Sequence, residues 1–305
     1  RILYALTIGL LLLVLAFGSV KRGSQSWLTM GGVNLQVAEF AKILLILAFA
    51  DFLNKRLGQL ETLAQMIPCF IYMGIPFLLV VAQGDLGTGL TFLVITLGMM
   101  FVAGANPRIL IALSVGGLLL IVLALAAHLK FGMPLPLEDY QIKRFTSFID
   151  PYNDGMGGRG AGWNTIQALV AVGSGGFWGK GLFNGTQAQL NFLPEQHTDF
   201  IFAVVGEEMG FIGAALLLML LGTILWRAVN IAYNAKDFYS TLVAMGLVSM
   251  WTFHIFENIG MCIGVMPITG IPLPFVSYGG SFMLASMLGV GILLDINLRG
   301  KKIVF

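Results

Sequence analysis

Charge is scarce in this chain. Asp, Glu, Lys and Arg make up 10% of 305 residues, against 57% hydrophobic. A soluble domain carries about 25% charge, so an ordinary soluble globular fold is excluded. Cysteine is scarce too. Cys69 and Cys262 both fall in apolar runs and read as buried thiols rather than a disulfide pair, so they give no redox information. There is no H-E-x-x-H spacing, no Walker motif, no Cys–His pair and no nucleophile elbow. That leaves no sign of a soluble nucleotide site. The net charge of +2 comes from basic residues scattered over loops, without the basic–aromatic stripe that a nucleic-acid partner would need. No internal repeat or low-complexity tract stands out, and the first apolar segment lacks a small-residue cleavage site.

What is abundant is apolar sequence in long runs, each able to cross a hydrocarbon core of about 30 Å. Eight spans are predicted, at about 2–19, 38–53, 64–82, 88–104, 108–128, 200–227, 239–266 and 281–298. The second is short and holds Glu39 and Lys42. The runs are continuous rather than alternating, which favours helices over a barrel. The expected fold is an all-α polytopic membrane protein: a helical bundle forming one transmembrane domain over residues 1–305, with a large structured loop at about 129–199 between the fifth and sixth spans. Arg1, Lys55 with Arg56, Arg108, Arg227 with Lys236, and Arg299 with Lys301 and Lys302 occupy alternate loops and ends, while the opposite short loops hold Lys21 and Arg22. The positive-inside bias then places both ends in the cytoplasm, and the long loop and the link at 267–280 outside.

The long loop is far above the usual connection length, and such loops are functional or disordered. Trp163, Phe177, Trp178 and Phe192, with a helix-like run from Trp163 to Val172, point to an ordered cap on the outer membrane surface. Gly173-Ser-Gly-Gly176 and Gly179-Lys-Gly181 read as turns, and the first has a weaker reading as backbone N–H groups presented to a phosphate. The loop ends in Asn191-Phe-Leu-Pro-Glu-Gln-His-Thr-Asp-Phe200, where a proline-broken polar stretch with Glu195, His197, Thr198 and Asp199 meets a very apolar helix. Gly270-Ile-Pro-Leu-Pro-Phe-Val-Ser-Tyr-Gly-Gly280 is too broken to be a span and reads as a re-entrant or surface loop.

Sorted by side, the polar residues converge. Trp27, Glu39, Lys42, Gln83, Asp85, Arg144, His197, Thr198, Asp199, Ser277 and Tyr278 fall at or near the outer face, and Glu207, Glu208, Glu257 and Asn258 lie within the outer part of two spans. Buried charge costs several kcal/mol unless paired or hydrated, so this grouping implies a shared water-filled cavity open outward. Each residue also has a plainer reading. Asp199 or Thr198 could simply cap the following helix. Glu39 and Lys42, three apart, could neutralise each other. Glu207 and Glu208 could form a structural clamp, and Asp85 could be an ordinary turn residue. His128 and His254 read as structural.

These residues resemble a known family. Phe192-Leu-Pro-Glu-Gln-His-Thr-Asp-Phe-Ile-Phe-Ala203 with Gly206-Glu-Glu208, and Gly270-Ile-Pro-Leu-Pro-Phe-Val-Ser-Tyr-Gly-Gly-Ser281, are similar to the two signatures of the SEDS proteins (shape, elongation, division and sporulation). Glu39-Phe-Ala-Lys42, Gln83-Gly-Asp-Leu-Gly-Thr88 and Ile166-Gln167 with Gly173–Gly181 match further blocks in order, and Gly185-Thr-Gln187 is closer to the elongation branch than to the division branch. Members usually have about ten spans, so the resemblance implies that the first two are absent here. It implies a peptidoglycan glycosyltransferase in the bacterial cytoplasmic membrane, polymerising lipid II at the outer face, with Asp199 as general base. On that reading Lys42 and Arg144 would hold the substrate diphosphate, with Glu39, Gln83, Asp85, His197, Thr198 and Ser277 as further substrate contacts. A divalent cation, Mg or Mn, could share the work, although the sequence shows no dedicated cage. The implied partner is a class B penicillin-binding protein, besides membrane lipids. A lipid II transporter or a non-catalytic scaffold of the cell-wall machinery are the alternatives.

Overall fold

The computed structural model describes residues 1–21, 24–30, 33–132, 134, 139–152 and 156–300. Arg22, Lys301 and Lys302, used above to assign sidedness, lie outside the described residues. In chain order the elements are α1 (Ile2–Phe17), β1 (Ser19–Lys21), β2 (Ser24–Met30), β3 (Val33–Gln36), α2 (Val37–Asn54), α3 (Leu63–Ala82), α4 (Leu86–Val102) and α5 (Pro107–Phe131). They continue as α6 (Asp139–Ile149), α7 (Trp163–Gly175), α8 (Thr186–Gln189), α9 (Ile201–Tyr233), α10 (Phe238–Cys262) and α11 (Gly280–Gly300).

Each expected span is a helix. α3, α9, α10, α11 and the Pro107–His128 part of α5 are long and apolar enough to cross a membrane, and α1 and α4 are shorter apolar helices. α2 carries Glu39, Lys42 and Asp51 in an otherwise apolar run. The chain is thus a mostly helical, multi-pass membrane protein. The seventh expected span stops early, at Cys262, because the chain turns there through Gly264 at φ +72°.

α10 is the hub. It packs against α2, α4, α9 and α11. Trp251 on α10, Phe49 on α2 and Phe92 on α4 are fully buried. A Cβ at Gly246 would come within 2.6 Å of Ile46 Cγ2 and 2.9 Å of Met99 Sδ, so the missing side chain is what lets α10 close on α2 and α4. At the other extreme, α5 packs on α4 and leaves Leu118, Leu119, Leu120, Ile121, Val122 and Leu123 exposed, as a lipid-facing surface does.

The all-α polytopic expectation holds, and the structure adds one small sheet to it. Residues between α1 and α2 form a three-stranded antiparallel sheet, β1-β2-β3, with Trp27 opposite Gln36 and Thr29 opposite Asn34. This sheet is tied down from three sides. Gln25 N donates to Gln83 O at 2.8 Å, Gln25 Nε2 to Gly18 O at 3.1 Å, and Gln36 N to Ser281 Oγ at 3.0 Å.

The cap also differs from a layer lying on a surface. It is stitched into α9. α7 runs against α9, and a Cβ at Gly175 would collide with the carbonyl of Gly206. At Gly210 (φ 64°, ψ −162°) α9 breaks. A continuous helix would pair Phe211 N with Glu207 O and Ile212 N with Glu208 O. Instead, Phe211 N donates to Gly176 O, Ile212 N to Phe177 O, Lys180 N to Glu207 O and Gly181 N to Glu208 O, at 2.9–3.3 Å. The N–H groups of Lys180 and Gly181 are therefore engaged by α9, and Gly173, Ser174 and Gly175 lie in the last turn of α7, where a helix uses its own N–H groups, so the phosphate-cradle reading of Gly173-Ser-Gly-Gly176 loses its basis.

Candidate active site

The site begins where α2 leaves the sheet. Glu39 and Lys42 are one turn apart on the same helix face and are 3% and 2% exposed. Lys42 Nζ lies 2.9 Å from both carboxylate oxygens of Glu39 and 3.2 Å from His254 Nε2 on α10. An ammonium has only donors, so His254 accepts through Nε2 and carries its proton on Nδ1. The Phe282 ring sits 5.9 Å from Nζ, within cation–π range. Charge at this depth is costly unless paired, and these three neighbours meet that cost. Nothing in the sequence marks His254 for this role. A lone histidine in an apolar helix reads as structural, and its partner is 212 residues away.

Asp85 caps α4. Its Oδ1 accepts from Thr88 N at 3.0 Å and its Oδ2 from Thr88 Oγ1 at 2.9 Å, with Gln36 Nε2 at 3.5 Å. The turn reading and the cavity reading both hold for it. Gln83 is placed otherwise. It is buried, its Nε2 donates to Leu11 O at 2.9 Å, and its carbonyl accepts from the sheet. It joins α1, α3 and β2.

The segment before α9 is held by the 267–280 link. Asn258 Nδ2, on α10, donates to Asp199 O at 2.7 Å and to Ile271 O at 2.8 Å. Ser277 Oγ donates to Thr198 O at 2.6 Å and accepts from Leu273 N at 2.7 Å. Tyr278 N donates to His197 O at 2.9 Å. Gly270, at φ +78°, leaves room for the Asp199 carboxylate, since a Cβ there would lie 3.3 Å from Oδ2. The position that caps α9 is Phe200, without a side-chain cap bond. The N-cap position thus falls one residue after Asp199 and two after Thr198. Arg144 Nη1, on α6, donates to Thr269 O at 3.2 Å, and Thr269 Oγ1 donates to Glu257 Oε1 at 2.8 Å.

These pieces surround one cavity of about 170 Å³. Glu39, Lys42, Asp85, Arg144, Thr198 and Asp199 line it. Six of the nine residues assigned above as base or substrate contacts thus share a single space, with Trp27 and Tyr278 beside them. Gln83, His197 and Ser277 do not line it. Ser277 is buried behind it as a brace, and His197 is exposed, contributing its carbonyl to the brace. Glu207 is also elsewhere. It is 0% exposed and accepts from Lys180 Nζ at 2.7 Å, Thr186 Oγ1 at 3.0 Å and Gln187 N at 3.1 Å, which makes it the clamp of the cap. The sheet adds lining residues that the sequence reading left out: Ser24, Asn34 and Gln36, beside Trp27. Among the described residues, no three His, Cys, Asp or Glu side chains gather as a metal cage.

A cavity with three carboxylates, a lysine and an arginine, set between the helices of a multi-pass membrane protein and roofed by a braced loop, defines a class: a membrane protein that handles a polar, anionic group. The comparisons identify the family within that class. A model described as cell cycle protein, covering FtsW, RodA and SpoVE, matches residues 1–302, and the chain belongs to this family, the SEDS proteins. It is 39% identical over 301 residues to the peptidoglycan glycosyltransferase MrdB of Escherichia coli K12, covering 99% of this chain and 78% of that protein. It is 38% identical over 300 residues to stage V sporulation protein E of Bacillus subtilis 168, covering 97% and 78%. Among solved structures, it is similar to a chain of a peptidoglycan synthase complex that coordinates polymerization and crosslinking, with a TM-score of 0.79, 30% identity and 98% and 81% coverage. It is also similar to the rod shape determining protein RodA of Thermus thermophilus, with a TM-score of 0.67, 27% identity and 98% and 78% coverage.

Proposed function

We propose that this chain is a peptidoglycan glycosyltransferase that polymerises lipid II at the outer face of the bacterial cytoplasmic membrane. The carrying observation is that Asp199 shares its cavity with Lys42 and Arg144. Growth of a glycan needs a hydroxyl of one sugar to lose its proton while attacking the anomeric carbon of another. A positioned carboxylate can take that proton, and Asp199 is held by its own backbone at the mouth of α9. The leaving group is a diphosphate, stable as it departs, so no strong acid is required. Arg144 and Lys42 face it as cations, the arginine able to bind two oxygens at once. Ligand pockets span about 300–1,000 Å³, so a cavity of about 170 Å³ suits the reacting centre alone. The peptide would lie outside it, and the polyprenyl tail along a lipid-facing groove. A divalent cation would be held by one or two of the cavity carboxylates together with the substrate phosphates, as Mg often is, and would offset phosphate charge. The names of the relatives support this activity, and the synthase-complex neighbour supports a crosslinking partner of the class B penicillin-binding type.

The broken helix α9 is the observation that favours lipid II transport instead, since interrupted helices recur in transporters. One experiment separates the two readings. Purified protein in nanodiscs, with and without that partner, receives labelled lipid II. Glycan product supports the polymerase. In sealed vesicles, movement of lipid II across the bilayer with no product would support transport and overturn the polymerase.

A further inference from the structure

The sheet has two different faces. In an antiparallel pair, residues directly opposite each other, and those two apart on one strand, point to the same side. Trp27 faces Gln36 and Thr29 faces Asn34 across the β2–β3 ladder, so these four share one face, and Leu28 with Leu35 share the other. Trp27, Asn34 and Gln36 are also the residues of those four that line the cavity. The polar face of the plate is therefore a wall of the site that holds Asp199.

A half-buried indole is out of keeping with that wall. The other residues of that face, Thr29, Asn34 and Gln36, are polar, and across the cavity from them Glu39, Lys42, Asp85 and Asp199 stand beside the apolar Leu86, Ile271, Pro272 and Phe282. Tryptophan at a membrane surface is often a belt residue, but a belt indole points outward to lipid, whereas Trp27 points inward with Lys42 and Asp199. An aromatic face carries negative charge density. The ligand surface that complements it is flat and apolar, with hydrogens of slight positive charge, and it must sit among groups that bond hydroxyls and amides. The C–H face of a pyranose has that character, with its hydroxyls and acetamido group at the rim. The neighbours suit the rim: the Gln36 amide reaches Asp85, and Thr29 Oγ1 donates to Asn34 Oδ1 at 3.0 Å, which orients the Asn34 amide. The ties to Gln83, Gly18 and Ser281 fix the plate in place, as a stacking platform requires.

We propose that the β1–β3 sheet is a saccharide-binding plate, on which Trp27 stacks against one hexosamine ring while Asn34 and Gln36 bond its polar rim. The assignment rests on the glycosyltransferase reading and adds the sugar subsite to it. Trp27 selects for the ring. Lys42 and Arg144 hold the diphosphate.

The test uses the whole protein in nanodiscs and two probes, lipid II and undecaprenyl diphosphate, which has the same tail and diphosphate but no sugar. Trp27→Leu should weaken lipid II binding by about tenfold, as expected for loss of an aromatic stacking contact, and leave undecaprenyl diphosphate binding within about twofold. Trp27→Phe, which keeps an aromatic face, should restore most lipid II binding. Asn34→Ala should show the same selectivity and stands in if Trp27→Leu does not fold. Equal losses for both probes, or none for lipid II, would overturn the plate. Failure of the glycosyltransferase reading looks different: wild-type protein would bind lipid II and form no glycan, and the two-probe comparison would still decide the sugar subsite.

Discussion

Asn258 holds Asp199 by its backbone. The Nδ2 of Asn258 lies 2.7 Å from the Asp199 carbonyl and 2.8 Å from that of Ile271, so one buried amide fixes the start of α9 against the 267–280 link. The carboxylate of Asp199 is left to the cavity side of this joint, where it lines the space shared with Lys42 and Arg144. A base that must meet a hydroxyl within hydrogen-bond reach gains from being placed this way, through groups that do not compete for its side chain.

Asp199→Ala and Asp199→Asn should each reduce glycan synthesis by at least about 10²-fold, the lower bound for losing a general base. Expression and melting temperature of Asp199→Asn should stay near wild type, because it keeps the size of the side chain and the bonds from Asn258 and Ser277 go to backbone carbonyls. Robust polymerisation by Asp199→Asn, which cannot take a proton, would end the general-base assignment.

Asn258→Ala removes two hydrogen bonds, worth about 1 kcal/mol each. Its larger effect should be on catalysis. A displacement of about 1 Å at a reacting group can cost about 10²-fold, so kcat should fall by about that factor while KM for lipid II changes little. Ser277→Ala, which loses the bond to Thr198 O, should show a milder version of the same split. A rise in KM with kcat preserved would place both residues in binding rather than positioning.

The Glu39–Lys42 pair can be tested by inversion. Lys42→Glu sets like charges together, and at about 4 Å with an effective dielectric of about 20 a unit pair is worth about 4 kcal/mol. Activity should fall by orders of magnitude. The swapped variant Glu39→Lys, Lys42→Glu should remain inactive though folded, because His254 Nε2 and the Phe282 ring are arranged around a cation at position 42. Full rescue by the swap would reduce Lys42 to architecture.

Lys180→Met leaves the Glu207 carboxylate fully buried without its ion partner. Breaking such a pair costs about 3–5 kcal/mol, and the partial exposure of Lys180 puts the expected loss near the lower end. The melting temperature should drop by several degrees, with the stability of the α7–α9 region most affected in hydrogen exchange. An unchanged melting temperature would show that Thr186 and Gln187 N suffice to hold the carboxylate.

Sidedness is open to thiol labelling, and the two native cysteines are buried, which keeps the background low. Single cysteines at the exposed positions Tyr152 and Tyr278 should react with an impermeant reagent from outside, and cysteines at Lys55 and Tyr233 only from the cytoplasm. Labelling of position 152 from the cytoplasmic side alone would invert the topology and the outward-facing cavity with it.

Much of this was legible in the sequence, for reasons that particular residues show. Apolar runs set the helices because lipid leaves a backbone few other choices. Asp199, Lys42, Glu39, Asp85, Arg144 and Thr198 could be grouped without a structure because charge near a membrane must find water or a partner. The same logic overreached with Glu207, whose partner was not the cavity but Lys180 on a loop that wraps α9. His254 was missed because nothing local marks a contact spanning 212 residues. The sheet had a signal that went unused. Val33–Gln36 alternates apolar and polar residues, and Gly31-Gly32, between it and Trp27-Leu-Thr-Met30 in the sequence, is a hairpin cue.

The break at Gly210 bears on how the protein is made. Residues 163–187 are synthesised before α9, so the strip that completes its hydrogen bonding exists by the time α9 enters the bilayer. Without that strip, Phe211 and Ile212 N–H and Glu207 and Glu208 C=O would lose partners that few waters there could replace. Insertion of this helix and docking of the preceding loop are therefore one event in biogenesis, and the order of the chain is what allows it.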